Sequence, residues 1–426
     1  MKDKLKSTRG NDRVSIDEAI LLGLARDGGL YVPEKFPEYD IKKLYNEESL
    51  ILFSSHLLFP FFHNSDIKPD RAFCKNVFSF PLPLKHLANK TYVLELFHGP
   101  TLSFKDFGAR FFAQCLEQLV QGKKTKVLVA TSGDTGSAVA SALHGKKDIE
   151  GIILFPKDKI SLRQQAQIAC WGDNISAVAV NGTFDQCQQL VKTAFSKAEF
   201  KGGLTTANSI NIARLLPQII FYAYSSIQVA KQYNELVNFI VPSGNLGNVT
   251  ACYWAKAMGF PINQILIANN ANRVLTEYLS SGVYRPGPGL KTLANAMDVG
   301  DPSNLERLIN LFPDFAAFKK EMNVASVQDE AIKEAIIDAY HRYNYLICPH
   351  TATAYHRLGA VSTDKPWIIM ATAHPAKFEE IIEPLLNIKI PVPEALNKLL
   401  SKKQSFSVID PVFDSLFALL NHTRAS

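Results

Sequence analysis

Lys105 lies in the run HGPTLSFKDFG, at the entry to a segment whose Phe107, Phe111, Phe112, Cys115, Leu116 and Leu119 fall at helical spacing. A cation in the first turn of a helix opposes the helix dipole. Burial disfavours its charge further. Both effects push the side chain toward the neutral amine, the form that attacks an aldehyde to make an imine. The competing possibility is a surface lysine paired with Asp106.

Two other runs have the composition of anion cradles. PSGNLGN, Pro242 to Asn248, precedes a helix-like segment. Gly244 and Gly247 leave backbone amides uncovered, and a following helix adds the positive end of its dipole. That combination suits a phosphate, although a tight strand-to-helix turn also uses glycine. The loop lacks the GK[ST] ending of a nucleotide-binding P-loop and is not GxGxxG. TSGDTG, Thr131 to Gly136, offers hydroxyls and glycines at another helix start. It suits a carboxylate or a second phosphate, or simply a helix cap made by Ser132 or Asp134. Two cradles on one chain suggest a phosphorylated cofactor beside an anionic substrate.

These loops occupy a recurring position. Short apolar runs, Tyr92 to Phe97, Lys126 to Ala130, Phe239 to Val241 and Trp367 to Ala371, each lead into a polar loop and then a helix-like segment. Further strand-like runs are Ile152 to Phe155, Ile175 to Val180 and Ile265 to Ala268. Strands alternating with helices predict parallel sheets covered on both faces. In such sheets ligands bind beyond the carboxyl ends of the strands, where all four loops fall. The first stretch, to about residue 85, reads as helical and irregular, rich in Phe and Pro. The loop-rich segment from Gly282 to Pro302 is expected to border or cover a cleft.

Composition narrows the class. A chain of 426 residues is too long for one simple core. Hydrophobic residues make up 47% and charged residues 20%, ordinary for a soluble globular protein. The net charge of +6, without a dense basic stripe, argues against nucleic acid as a partner. The N-terminus is polar, without the apolar core of a secretory signal. The apolar stretches at 50–62 and 215–230 are interrupted by Pro60 and Pro217 and fall short of the roughly 20 residues a membrane span needs. Six cysteines without a CxxC pair are expected as buried thiols, so a cytoplasmic location is expected. His350 and His356 lack metal-site spacing, and no metal is expected. His98 and His374 flank the reactive runs, either lining the cleft or making structural hydrogen bonds.

The series ELFHGPTLSFKDFGAR, ATSGDTG, ANSINIAR, PSGNLGN, NAMDVGDPSN and ATAHPAKF resembles the threonine synthases across most of the chain, as does DGGLYVP near its start. The resemblance implies an α/β protein with two doubly wound parallel-sheet domains of the fold-type-II pyridoxal-phosphate (PLP) enzymes and an additional N-terminal lobe. The lobe is expected at 1–85, the large domain at 86–122 and 205–426, and a smaller inserted domain at 123–204. The implied reaction converts O-phospho-L-homoserine and water to L-threonine and phosphate. The resemblance assigns Lys105 the Schiff base and the proton transfers. Gly244, Asn245, Leu246, Gly247 and Asn248 match the loop for the cofactor phosphate, and Thr372 the hydroxyl beside the pyridine nitrogen. Ser132, Asp134 and Thr135 match a loop facing substrate and cofactor ring, and Asn208 and Arg214 match residues near the substrate phosphate. The wider group often carries Asn at the position of Asp134 and Asp at that of Asn248. The alternatives are a related PLP lyase releasing 2-oxobutyrate and a non-catalytic phospho-ligand binder on the same fold.

Overall fold

The computed structural model describes residues 5–197 and 203–422. Its centre is a six-stranded sheet in the order Asn323–Ser326, Ile262–Asn269, Val237–Pro242, Trp367–Ala371, Thr91–Glu95, Leu84–Ala88. All neighbours are parallel except the last pair, where Leu84–Ala88 turns back on Thr91–Glu95. The central strands are buried on both faces, as β-branched and aliphatic runs in a covered parallel sheet must be. Alternation decides which core each side chain joins. Tyr92, Leu94, Phe239, Val241, Ile368 and Met370 enter one apolar cluster, and Val93, Ile240 and Ile369 the other.

A second, wholly parallel sheet takes the order Ser407–Ile409, Ile175–Val180, Ile149–Pro156, Thr125–Ala130, Leu204–Thr205. Its edge strand Ser407–Ile409 comes from the C-terminal tail, which the sequence places with the larger sheet. The three residues are too short to carry a strand-loop-helix signal, and only pairing with Val178 to Val180 defines them. The N-terminal stretch also differs from expectation. Beside its helices, Leu5–Ser7, Arg13–Val14 and Tyr31–Pro33 form a small antiparallel sheet. Runs of two or three residues are too short for period-2 alternation to show.

The elements that carry the chemistry sit where the sequence puts them. Thr125–Ala130 runs through its loop into the helix Asp134–Leu143, and Val237–Pro242 into the helix Gly247–Ala257. Helix Lys105–Val120 begins at the lysine itself. Its apolar stripe buries Phe107, Phe111 and Phe112 completely. Phe107 stacks edge-on with Phe80 and Phe221, and Phe111 with Phe62 and Phe73. Trp367–Ala371 leads not directly into a long helix but into a single 3-10 turn, Pro375–Lys377, before Glu379–Leu386. Among the described residues no helix is long and apolar enough to cross a membrane. All six cysteines are buried and unbridged.

Candidate active site

Backbone pairing brings Lys105 beside Thr372. The N–H of Phe104 donates to the Thr372 carbonyl at 2.8 Å, and that of His374 to the Leu102 carbonyl at 3.0 Å. Ser103 and Ala373 form an isolated bridge between them. The loop before the lysine is thus stapled to the carboxyl end of a central strand. Asp106 is not a partner for the lysine. It is buried and accepts the N–H and the hydroxyl of Thr101, at 2.9 and 2.7 Å. The Lys105 ammonium lies 4.4 Å from the Phe104 ring centroid. Loss of solvation, then the charge of Arg214, pulls its pKa down to about 8, with Asp134 opposing.

Lys105 stands between two cavities and lines both. The first is walled by Gly244 to Asn248, Asp134 and Thr372. Leu246 adopts φ 59°, a left-handed conformation that turns the chain into the helix Gly247–Ala257. The first N–H groups of that helix have no intrahelical acceptor and point toward the loop. Gly244 passes so close to the turn Asn295–Met297 that a Cβ would lie 2.5 Å from the Met297 Cα. The Ser243 hydroxyl, in the same wall, is buried with no partner. Uncommitted amides, an orphaned hydroxyl and a helix dipole fit a phosphate group. Asn248 contributes through its backbone position, because its side chain takes the Tyr222 hydroxyl at 2.6 Å and reaches back toward the Pro242 carbonyl.

Asp134 presents an ionised carboxylate to this cavity. Burial alone would raise its pKa, but the Lys377 ammonium at 2.7 Å, then His350 and the Gln164 amide at 3.0 Å, lower it on balance. Lys377 is fully buried and also donates to the Thr101 carbonyl at 2.9 Å. It was not singled out from the sequence, although it lies inside the ATAHPAKF run. His350 also lines the cavity. Burial holds it neutral, with a pKa near 4, and its Nε2 accepts the Ala296 N–H at 3.1 Å. The sequence offers it only as a metal ligand, a role its spacing from His356 does not support. Its place in the wall, behind the turn Asn295–Met297, leaves no trace in local spacing. His98 pairs with Glu95 at 2.7 Å, and His374 caps the turn Pro375–Lys377, so both serve structure.

The second cavity lies across Lys105 and contains Ser132, Thr135 and Asn208. Ser209, Asn245 and Ser303 line it too. The Ser209 hydroxyl accepts from Asn245 Nδ2 at 2.7 Å and Asn304 Nδ2 at 3.1 Å, which leaves its own proton free to donate. Asn208 is less free. Its amide is held by both backbone groups of Ala130, at 3.2 and 2.7 Å. Arg214 lines neither cavity. It is buried against Gly108, and its guanidinium donates to the Ala207 carbonyl. The segment Pro288–Asn295 and Asp298 border an adjoining cleft, together with Ser132 and Phe378.

A half-buried lysine amine beside a phosphate cradle, on parallel sheets of this order, defines the class as a PLP-dependent enzyme of fold type II. Residues 79–372 match the family model described as pyridoxal-phosphate dependent enzyme. Residues 4–71 match the threonine synthase N terminus and 351–416 the threonine synthase C-terminal model. The threonine synthase of Haemophilus influenzae is 41% identical over 391 residues, covering 91% of this chain and 92% of that protein. The crystal structure of the Escherichia coli threonine synthase superposes with a TM-score of 0.92 at 35% identity, covering 98% of this chain and all 100% of that one. A PLP-bound threonine synthase from Brucella melitensis gives 0.91 at 31% identity, with 100% of both chains covered. The chain belongs to the threonine synthase family.

Proposed function

We propose that this protein converts O-phospho-L-homoserine and water to L-threonine and phosphate, with PLP held as a Schiff base on Lys105. The observation that carries the reading is the position of Lys105, with a phosphate cradle on one side and a hydroxyl-rich chamber on the other. The amides of Gly244 to Asn248 and the Ser243 hydroxyl would hold the cofactor phosphate. Thr372 would face the pyridine nitrogen and Asp134 the ring. When bound, PLP supplies the electron sink that makes the substrate's α-proton removable.

The remaining work falls to the chain's own groups. An amine with a pKa near 8 is partly neutral at physiological pH, so Lys105, when not joined to the cofactor, would take the α-proton. It then serves the proton transfers at Cβ and Cγ as phosphate leaves and water adds at Cβ. Asp134 stays anionic at the cavity wall, where it would face the ring, because Lys377 balances its charge. Ser132, Thr135, Ser209 and Asn245 offer hydrogen bonds to the substrate's carboxylate and phosphate. A neutral hydroxyl at Thr372 would leave the pyridine nitrogen unprotonated, a weaker sink than a carboxylate partner would create.

Purified protein given O-phospho-L-homoserine should release threonine and phosphate in equal amounts. Release of 2-oxobutyrate instead would overturn the reading. Lys105→Ala should lose the imine absorbance band and threonine formation together; a band that survives in this variant would remove Lys105 as the anchor.

A further inference from the structure

The chamber on the substrate side of Lys105 contains no carboxylate among its lining residues. Two cations line it, Lys105 and Lys192. Lys192 belongs to the helix Phe184–Ser196, which packs on the smaller sheet. Phe184, Gln188, Val191 and Lys192 all face the chamber, at the i, i+4, i+7, i+8 spacing of one helix face. The other three are uncharged, so the face delivers a single ammonium across from Ser209, Asn245 and Ser303 on the larger sheet's side. Lys192 is exposed, and no described carboxylate pairs with it.

This inference rests on the proposed reaction. In the resting holoenzyme that substrate meets, Lys105 would be committed to the cofactor, which leaves Lys192 as the other cation lining the chamber. The substrate's phosphate is its most highly charged group. Arg214, which the resemblance to the threonine synthases puts near that phosphate, donates to the Ala207 carbonyl and lines neither cavity. We propose that Lys192 is a substrate-binding residue whose ammonium contacts the phosphate of O-phospho-L-homoserine. Its place on the smaller lobe, opposite the loops of the larger one, would let phosphate bridge the two walls. Charge-assisted hydrogen bonds of this kind are stronger than neutral ones.

The test is made on holoenzyme, comparing wild type with Lys192→Met, Lys192→Gln and Lys192→Arg. Removing the charge should raise KM about tenfold and leave kcat within about twofold, the pattern of lost uniform binding. Calorimetric titration of holoenzyme with inorganic phosphate should show affinity weakened by a similar factor in the Met and Gln variants and retained in the Arg variant. Unchanged KM and unchanged phosphate affinity in both neutral variants would overturn the proposal, as would a fall in kcat at constant KM. The cofactor absorbance and melting temperature identify any variant that has misfolded, and the second neutral variant then carries the comparison. If wild type makes no threonine, the proposed reaction fails. If it does and the neutral variants match it, only the role of Lys192 fails.

Discussion

At the scale of single residues, the site depends on which charges are balanced and which are not. Asp134 and Lys377 neutralise each other within 2.7 Å in a buried place, so the carboxylate stays ionised at the cavity wall. Lys105 has no such partner among the described residues. Its depressed pKa means the folded apoprotein binds fewer protons than the unfolded chain between about pH 8 and 10.5. Stability rises with pH wherever the unfolded state holds more protons. The penalty for burying Lys105 is therefore complete below pH 8 and gone above 10.5. In apoprotein, Lys105→Met should be more stable than wild type at neutral pH, with the margin narrowing through that window. Urea denaturation at a series of pH values measures it. A margin independent of pH would show that Lys105 keeps its charge at no cost.

At the scale of elements, the sites are made where strands end. The turn from Val237–Pro242 into Gly247–Ala257 has no room for a side chain at Gly244, since the Met297 backbone closes on it. Gly244→Ala should displace the turn Asn295–Met297 and cost about 1–3 kcal/mol, as overpacked sites do. The same shift moves the amides that would grip the cofactor, so PLP affinity should fall with stability. Chemical denaturation and cofactor titration read the two effects. Retention of wild-type affinity would separate the cradle from the neighbouring turn. The glycines of this loop are visible in the sequence. The reason Gly244 in particular must lack a Cβ is a contact with a segment distant in the chain.

At the scale of the whole molecule, the N-terminal lobe is tied to the chamber beside Lys105. Arg307, fully buried, donates to the Tyr31 carbonyl in the lobe at 3.1 Å and to the Ser209 carbonyl in the chamber wall at 2.9 Å. It also binds Ile210 and Asn304. Thr205 and Asn211 both donate to the Ile20 carbonyl, a second tie between the lobe and the segment that carries Ser209. Arg307→Met would leave several buried carbonyls unpaired, each worth about 1–3 kcal/mol. A lower melting temperature and a higher KM for O-phospho-L-homoserine should appear together, through displacement of Ser209. A lower melting temperature with unaltered KM would show that the lobe stabilises the fold without shaping the chamber.

The sequence by itself determined the parallel architecture, which is written in local periodicity, and it marked Lys105 and Gly244 to Asn248 as candidates through motifs that resemble those of the threonine synthases. Phe107, Phe111 and Phe112 predict the buried face of their helix, and PSGNLGN predicts its own turn. Only the tertiary structure decided that Asp134 pairs with Lys377, that Arg214 bonds to the Ala207 carbonyl, that His350 lines the cavity walled by Gly244 to Asn248 and that Ser407–Ile409 joins the smaller sheet. Those outcomes join residues far apart in the chain. Charge balance and hydrogen-bond satisfaction in a buried space depend on which groups packing brings within a few ångströms, and no local spacing encodes that.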